Sequence, residues 1–209
     1  NEKLHDCTLK SVISSFMSAC RLGLEVGSLR GQAYLIPYAG KCTLVVGYKG
    51  LIELAYRTGS VRSIKPTTVH ENDEFEIRGG TESGIRHKIC LGDKGTVIGY
   101  YIVVDLKDGR PLFHYMSVKE IAAHKDQFAK NGGKFWNDFP EQMAYKTIFI
   151  KLFKWLPNNP FLNEVSEIEA DEYSYSTASE PNHHQDRASE VANIIIDDDG
   201  EIIEKGELH

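Results

Sequence analysis

The segment from Thr96 to Leu106 constrains the fold more than any other part of this chain. Val, Ile and Tyr occupy most of its positions, and the turn residues Lys107, Asp108 and Gly109 follow directly. Such a run predicts a β-strand, and this turn predicts a hairpin with a returning strand over 111–116. The sequence therefore predicts antiparallel pairing in the middle of the chain.

The rest of the chain up to about residue 157 places helices before and after these strands. Apolar residues recur at three- and four-residue steps over 4–22, which predicts an amphipathic helix. Ser117 with Glu120, and Asp138 with Glu141, have the spacing of helix-capping pairs. The order of elements predicts an α+β fold of antiparallel strands with packed helices, because it does not alternate strand and helix as a parallel sheet would. Further strands are predicted over 33–37, 43–47, 61–69, 74–78 and 86–90, and further helices over 50–57, from 117 onward and over 138–157.

The charge of the chain is divided between two segments. Residues 1–157 hold 22 Lys and Arg against 16 Asp and Glu, a net charge of +6, whereas residues 158–209 hold 2 against 14, a net charge of −12. The basic body could attract a polyanion, and the acidic segment could compete for the same surface. After Pro160 the composition is polar and acidic. It predicts a domain over 1–160 and a disordered or partner-binding tail over 161–209.

Composition also indicates where the protein acts. No window approaches the roughly 18 uninterrupted apolar residues of a membrane span, and Asn1–Lys10 lacks the basic and apolar regions of a signal peptide. The four cysteines are widely spaced, without a C-x-x-C pair, which predicts reduced thiols and no zinc site. The sequence therefore predicts a cytoplasmic protein that binds neither a membrane nor a metal ion.

Motifs for nucleotide-driven or hydrolytic chemistry are missing from the sequence. Gly133 and Lys134 are followed by Phe135 rather than by Ser or Thr, so the phosphate-binding motif G-x-x-x-x-G-K-[ST] is not formed. No G-x-G-x-x-G follows a strand, and no G-x-S-x-G occurs. Carboxylates for a metal-dependent nuclease exist in the body, but nothing in their spacing brings them together. The sequence predicts no catalytic residue and no cofactor.

A set of hydrophilic residues occupies one side of the last predicted helix. At about 100° per residue, the apolar residues, including Trp155, fall on a wide face that is expected to meet the core. A face that meets only water normally mixes both charge signs, so a stripe of one sign favours contact with phosphates. A plain solvated face is the alternative. The stripe, which contains no acidic residue, consists of Lys146, Thr147, Lys151 and Lys154.

Aromatic residues lie beside cations in two further places. Phe135 and Trp136 follow Lys134 in a glycine-bounded loop, where exposed rings suit base stacking on single-stranded nucleic acid. A hydrophobic staple against the next helix is the alternative for these rings. Around the first hairpin and its helix, tyrosines alternate with cations, although tyrosines in strands more often belong to the core. The candidates in this second place are Lys41, Tyr48, Lys49 and Arg57.

Several blocks of the sequence resemble one known family. They occur in the same order and at compatible spacing over most of residues 20–157, and their number argues against a chance likeness. On these blocks the body resembles the RecT family of phage single-strand annealing proteins, and the resemblance does not extend past Pro160. The blocks are Gly23-Leu24-Glu25-Val26-Gly27-Ser28, Gln32-Ala33-Tyr34-Leu35-Ile36-Pro37-Tyr38, Val45-Val46-Gly47-Tyr48-Lys49-Gly50-Leu51-Ile52, Phe135-Trp136, Met143-Ala144-x-Lys146-Thr147 and Leu152-Phe153-Lys154-Trp155-Leu156-Pro157.

The resemblance implies a function that needs no covalent chemistry. Proteins of this kind bind single-stranded DNA without ATP, assemble into rings or helical filaments, and pair complementary strands in phage recombination and DNA repair inside the bacterial host. The implied partners are single-stranded DNA, the annealed duplex, further copies of the chain, an exonuclease and a host single-strand binding protein. The implied fold has a groove for DNA, and the family pattern places DNA contacts at Tyr48, Lys49, Lys146, Thr147, Lys151 and Lys154.

Two other functions stay open from the residues. A coat protein would hold single-stranded DNA without promoting pairing, since the same cations and rings would serve it equally well. A metal-dependent nuclease with dispersed carboxylates is the alternative from a different class. Mixing complementary strands separates an annealing protein from a coat protein, and incubating DNA with Mg²⁺ or Mn²⁺ tests for a nuclease.

Overall fold

The computed structural model describes residues 2–27, 29–128, 134–177, 194–196 and 202–204. Within these ranges, antiparallel sheets and helices make up an α+β fold, which confirms the predicted class. The chain divides into two compact units. The first unit takes the residues up to 50 and those from 163 onward, and the second takes residues 51–162.

The helices and strands of the body follow one another in the predicted order. Most predicted bounds lie within a few residues of the observed ones, and short 3-10 helices over Glu2–Asp6 and Gly80–Glu82 were not predicted. The helices are α1 (Leu9–Arg21), α2 (Tyr48–Arg57), α3 (Val118–Phe128), α4 (Lys134–Asp138), α5 (Pro140–Phe153) and α6 (Leu162–Thr177). The strands are β1 (Ala33–Tyr38), β2 (Lys41–Val46), β3 (Val61–His70), β4 (Glu74–Arg78), β5 (Gly84–Lys88), β6 (Val97–Leu106), β7 (Leu112–Ser117), β8 (Ile194–Ile196) and β9 (Ile202–Glu204).

Serine side chains fasten α1 to β2 in the first unit. The Ser15 hydroxyl donates to the Cys42 carbonyl oxygen at 2.8 Å, and the Cys42 amide donates to the Ser11 hydroxyl at 2.9 Å. The helix ends where Gly23 takes a left-handed φ of 60°, which confirms the predicted stop. Strand β2 therefore runs alongside α1, held by hydrogen bonds as well as by buried apolar residues such as Leu44.

The corner between β2 and α2 requires glycine at two positions. A Cβ at Gly47 would collide with the carbonyl oxygen of Gly31, and a Cβ at Gly50 would collide with that of Gln32. The Gly47 amide donates to the Gln32 carbonyl oxygen at 2.9 Å. This close approach of two backbone segments fixes where α2 begins.

The second unit is built on a three-stranded antiparallel sheet in the order β3–β6–β7. Strand β6 is the one predicted over 96–106, and β7 returns beside it, which confirms the predicted hairpin. Helix α5 packs against β6 and β7, and its Ile148 and Phe149 have no exposed surface. Ile102 and Val104 of β6 are also fully buried, so the core of this unit includes α5 and the central strand.

A chain of hydrogen bonds holds the β4–β5 hairpin beside β6. The Asp73 carboxylate accepts hydrogen bonds from the Cys90 amide at 2.7 Å and from the His70 amide at 2.8 Å. Its Oδ2 also lies 3.0 Å from His87 Nε2, and His87 Nδ1 lies 3.0 Å from the Tyr101 hydroxyl. The two amide hydrogen bonds are the main reason that the pKa of Asp73 is well below its usual range. Sequence reasoning missed this arrangement because the links from Asp73 to His87 and Cys90 span 14 and 17 positions of the chain.

The helix ends confirm one predicted cap and correct another. Glu120 Oε2 accepts a hydrogen bond from the Ser117 amide at 2.8 Å, and the Glu120 amide donates to the Ser117 hydroxyl at 3.2 Å, so the predicted capping box is formed. By contrast, Phe139 is the N-cap of α5 and makes no side-chain capping bond, while Asp138 ends α4. The sequence had predicted one helix from Asp138 because a short separate helix has no periodicity of its own.

Helix α6 occupies part of the segment that composition assigned to a disordered tail. Its Val165 and Ile168 are buried in the structure. The many acidic residues around them obscured the three-residue spacing of Leu162, Val165 and Ile168, which is typical of a helix face. Strands β8 and β9 pair in antiparallel orientation. The predicted domain boundary at residue 160 stays a prediction, and residues 178–193, 197–201 and 205–209 of the predicted tail lie outside the described residues.

Candidate nucleic-acid interface

Helix α5 carries the predicted stripe, but only the last part of the stripe is exposed. Lys146 and Thr147 are each 5% exposed, and the Thr147 hydroxyl donates to the Met143 carbonyl oxygen at 2.9 Å. Lys151 and Lys154 are exposed. The prediction of a continuous exposed stripe was wrong because the fold buries the side of α5 that holds Lys146 and Thr147. DNA contacts by Lys146 and Thr147 stay predictions, and their burial does not favour them.

Trp155 is exposed at the end of α5, whereas the sequence predicted it to face the core. The residue is 76% exposed. The helix ends at Phe153, and the Trp155 amide donates to the Leu152 carbonyl oxygen at 2.9 Å in a tighter turn. The residues after Phe153 therefore no longer follow the rotation of about 100° per residue from which their side of the helix was predicted. An exposed indole consequently lies within one turn of two exposed cations, Lys151 and Lys154.

The charge of Lys151 acts on two histidines and a carboxylate from other elements of the fold. Burial first, and then the charge of Lys151, lower the pKa of His114 and of His124. Hydrogen bonds from Ser117 lower the pKa of Glu120, with smaller contributions from His114 and Lys151. Glu120 belongs to α3 and not to the stripe, but its charge interacts with that of Lys151. We call this group, with one nearby ring, the α3–α5 cluster: His114, Glu120, His124, Trp136 and Lys151.

Trp136 joins the α3–α5 cluster through His124. The ring centroids of His124 and Trp136 lie 6.1 Å apart, and those of His124 and Phe128 lie 4.6 Å apart. Trp136 is half-buried, so its ring has a packed side and an accessible part. Lys134 and Phe135 belong to α4, but their side chains lie outside what the structure describes, as do residues 131–133 of the predicted loop. Base stacking by Phe135 and Trp136 stays a prediction.

The remaining four candidates lie around the first hairpin and α2. Lys41 and Lys49 are exposed, and Tyr48 is half-buried. The Arg57 guanidinium is 3.1 Å from the Glu53 carboxylate one turn earlier on α2, so part of its charge is balanced within its own helix. Lys41, Tyr48 and Lys49 belong to the first unit, whereas Arg57 belongs to the second with α5. DNA contacts at each of these positions stay predictions.

The sequence did not identify Trp155, His114 or His124 as candidate functional residues. Trp155 could have been recognised from Pro157, because a helix usually ends before the residue that precedes a proline. No sequence signal places His114 or His124 beside Lys151, since β7, α3 and α5 meet only in the tertiary fold. The link between these two histidines and Lys151 is therefore visible only in the folded structure.

Chemically, the exposed end of α5 offers cations and aromatic surface. Among the described residues, no three His, Cys, Asp or Glu side chains are grouped so that they could hold a metal ion. None of the helices in the described ranges has both the length and the apolar character needed to cross a bilayer. The four cysteines are free thiols. The groups that this surface presents are thus suited to contact with phosphates and flat rings.

These features define an α+β protein with antiparallel sheets and an exposed patch of cations and one indole at the end of a core helix. The chain belongs to the RecT family, whose model matches residues 1–186. It is 34% identical over 162 residues to Protein RecT of Escherichia coli strain K12, which covers 74% of this chain and 60% of that protein. It is 36% identical over 146 residues to the uncharacterized protein YqaK of Bacillus subtilis strain 168, which covers 69% of this chain and 51% of that protein. The chain thus spans less than two thirds of either relative, and the family resemblance drawn from its blocks is confirmed.

Proposed function

We propose that this protein binds single-stranded DNA and anneals complementary strands without ATP in homologous recombination. The observation that carries the proposal is the exposure of Lys151, Lys154 and Trp155 together, in a chain that belongs to the RecT family. Ammonium groups neutralise backbone phosphates, and an exposed indole stacks on bases of any sequence. Annealing requires only that a strand is held with its base edges accessible, so it needs no catalytic group.

An ordinary structural role is the alternative explanation for the exposure of Lys151 and Lys154 at the end of α5. Cations near the end of a helix also stabilise its carbonyl groups, by roughly 0.3–1 kcal/mol each. That role predicts a small loss of thermal stability on their removal and no change in DNA affinity. The two roles therefore give different results for the same variant.

The DNA-binding part of the proposal is tested with the double variant Lys151→Ala/Lys154→Ala. We expect the affinity for single-stranded DNA to fall at least about tenfold at low salt, and the slope of log K against log salt to lose about 1.4, since each phosphate contact contributes about 0.7. Lys65→Ala/Lys107→Ala removes the same charge from two other exposed positions and serves as the matched control. Equal affinities for the two double variants would show that the end of α5 does not contact DNA.

The annealing part is tested by mixing two complementary labelled strands with the protein and no nucleotide. An annealing protein accelerates duplex formation, whereas a coat protein slows it. Progressive cleavage of labelled DNA by the pure protein with Mg²⁺ or Mn²⁺ would replace the proposal with a nuclease.

We further propose that the protein acts as a ring or helical filament of identical subunits in the bacterial cytoplasm. Assembly would raise the overall affinity for a strand, because the few phosphate contacts of each subunit would then act together on the same strand. An exonuclease that exposes the strand and a host single-strand binding protein are the proposed protein partners, and the annealed duplex is the proposed product. Sedimentation and electron microscopy with one strand and with two complementary strands test assembly, and a monomer under all these conditions would contradict it.

A further inference from the structure

Helix α1 leaves part of its apolar side exposed. At about 100° per residue, four apolar residues spaced over about three turns fall within about 60° of one another. We call this stripe the α1 ridge: Leu9, Ile13, Phe16 and Cys20. Phe16 is 50% exposed and Cys20 is exposed, while the first two residues of the ridge are half-buried. The apolar stripe of an amphipathic helix normally faces the core, so its exposure needs an explanation.

Small side chains occupy the side of α1 that meets the first hairpin. Ser11 and Ser15 are hydrogen-bonded to the backbone of Cys42, and Ala19 has no exposed surface. The mean direction of these three small residues lies roughly 130° from that of the α1 ridge. Helix α1 packs mainly against β2 and β1. The ridge therefore faces away from the main support of the helix.

The charges on α1 are all positive. The helix contains Lys10 and Arg21 and no acidic residue. Arg21 is exposed and follows directly after the last residue of the ridge. Two α1 helices that met through their ridges would bring like charges together, which is unfavourable. The surface that covers the α1 ridge is therefore expected to be apolar and acidic.

A second exposed phenylalanine lies between α4 and α5. Phe139 is 51% exposed and is the N-cap of α5, where it makes no side-chain capping bond. Ser, Thr, Asp or Asn at an N-cap usually stabilises a helix by about 1 kcal/mol relative to a residue that cannot cap. Phe139 thus provides neither a cap nor a fully buried ring. Neither helix stability nor the core of the chain accounts for a phenylalanine at this position.

The residues around this ring carry negative charge. Residues 137–142, which we call the α5 corner, are all exposed, and they include Asp138 and Glu141 but no cation. Lys125 of α3 donates to Asn137 Oδ1 at 2.8 Å, so its ammonium group is engaged at the edge of the corner. The α5 corner therefore combines an exposed ring with acidic neighbours, as the α1 ridge requires of its partner.

We propose that the α1 ridge of one copy docks on the α5 corner of a second copy of this chain. Phe16 meets Phe139 of the second copy, and Arg21 lies beside Asp138 of that copy. The two faces are unlike, so each docked copy still has one free ridge or one free corner, and the contact continues into a ring or a filament. The proposed contact rests on the assembly part of the proposed function.

The size of the ridge predicts that one such contact is weak. The ridge is about 17 Å long and roughly 10 Å wide, the width of one helix. Stable protein interfaces bury about 800 Å² on each partner, which is several times this footprint. Neighbouring copies are therefore held together more firmly when they also share a strand. We expect assembly to be stronger on single-stranded DNA than in the free protein.

The two rings are tested with Phe16→Asn and Phe139→Asn in the full chain. Each variant should raise the protein concentration for half-maximal assembly on a long single strand at least about tenfold, because aromatic residues supply much of the energy of an interface. Asn is a preferred N-cap and is tolerated on an exposed helix surface, so both variants should fold. On a short oligonucleotide that holds one subunit, both should bind like the wild type. Sedimentation measures assembly.

Disulfide trapping identifies which faces meet. Gln142→Cys adds a thiol to the α5 corner, and Cys20 is an exposed thiol of the ridge. Oxidation of the assembled variant should link three or more chains covalently, because each chain then has one thiol on each face. Cys20→Ser/Gln142→Cys should give no such ladder, and neither should Lys65→Cys, the control at another exposed position. A ladder without Cys20, or an assembled Gln142→Cys protein without a ladder, would overturn the proposal.

A charge exchange tests the polar part of the contact. Arg21→Glu and Asp138→Arg should each weaken assembly about three- to tenfold, and the double variant should recover most of the loss. Asp138 is preferred to Glu141 because the Glu141 carboxylate also accepts hydrogen bonds from the hydroxyl groups of Thr68 and Tyr145. A double variant that assembles no better than the single variants would contradict the pairing of these two charges.

Failure of this contact and failure of the proposed assembly give different results. A wild-type protein that stays monomeric on long single strands would overturn both. A wild-type protein that assembles, together with Phe16→Asn and Phe139→Asn variants that assemble equally well, would overturn the contact alone. Both results leave the Lys151 and Lys154 experiment as a separate test of strand binding.

Discussion

Helices α1 and α5 have nearly the same length, 13 and 14 residues, but they are buried very differently. Only Ser15 and Ala19 of α1 are buried, whereas seven residues of α5 are, including a lysine and a threonine. On α1 the exposed residues are Lys10, Ser14, Phe16, Cys20 and Arg21, and four serines of the helix line a pocket. On α5 two polar side chains, Lys146 and Thr147, belong to the interior, and the exposed residues lie at the two ends of the helix.

The difference shows what a helical projection measures. It assigns residues to sides of a helix, but it does not tell how many sides the fold will cover. Helix α1 has exposed residues along its whole length, both polar, such as Lys10 and Ser14, and aromatic, such as Phe16. Helix α5 packs against β6 and β7, and the side that holds Lys146 is buried as well.

The largest difference that we expect between α1 and α5 is in the contribution of their phenylalanines to stability. Phe149 of α5 is fully buried, whereas Phe16 of α1 is 50% exposed. Phe149→Ala should lower the free energy of unfolding by about 3–5 kcal/mol, because it removes buried apolar surface and leaves a cavity. Phe16→Ala should lower it by less than about 1 kcal/mol. Urea denaturation of both variants checks this, and similar losses would show that the two helices are equally buried.

A second prediction separates the two kinds of lysine on α5. Lys146→Ala should lower the free energy of unfolding by about 1–3 kcal/mol, because it removes a buried stem and a buried polar contact. Lys154→Ala, at an exposed position, should change it by no more than about 0.5 kcal/mol. Thermal and urea unfolding of the two variants measure this. A stable Lys146→Ala protein with reduced DNA affinity would instead restore the predicted stripe.

A third prediction concerns the exposed rings of the two helices. Trp155→Ala should weaken single-stranded DNA binding by about 1–3 kcal/mol, the usual value of one stacked base, without changing the melting temperature. Phe16→Ala is the matched control, since Phe16 is exposed but has no cation within one turn on α1. Fluorescence quenching and direct binding assays measure both. A larger loss from Phe16→Ala would place the strand on α1 instead.

The smallest expected effect is a dependence of DNA binding on pH. Burial and Lys151 lower the pKa of His114 and of His124 from 6.5, so both are mostly neutral in the free protein at neutral pH. A bound phosphate favours the protonated ring, so affinity should rise about two- to fivefold as pH falls from about 7.5 to about 5.5. The double variant His114→Gln/His124→Gln should lose this rise. A rise that persists in the variant would assign it to other groups.

The same two pKa shifts have the opposite consequence for stability without DNA. A histidine with a lowered pKa binds fewer protons in the folded state than in the unfolded state at pH values below 6.5. The stability that its neutral form contributes is therefore present above that pH and decreases as the pH falls. Measuring the free energy of unfolding across this range, with the double histidine variant as the control, separates the effect from the pH dependence of binding.

Local signals in the sequence predicted much of the fold. The capping pair Ser117 and Glu120 and the hairpin around Gly109 could be predicted because their interactions join residues a few positions apart. The sequence also pointed to Lys151 and Lys154 as surface cations. It could not show that Lys146 is buried, because contacts between elements that are distant in sequence decide that. The predicted DNA groove stays a prediction.

The place of α6 in the first unit has a consequence for how the protein is made. Residues up to 50 leave the ribosome long before residue 163 is translated, and the first unit includes both. At about 5–20 residues per second, the early segment waits roughly 6–25 seconds for its last helix. The second unit, which is continuous in sequence, is complete sooner. Limited proteolysis of a released chain that ends at residue 162 should therefore cut within residues 1–50 in preference to residues 51–162.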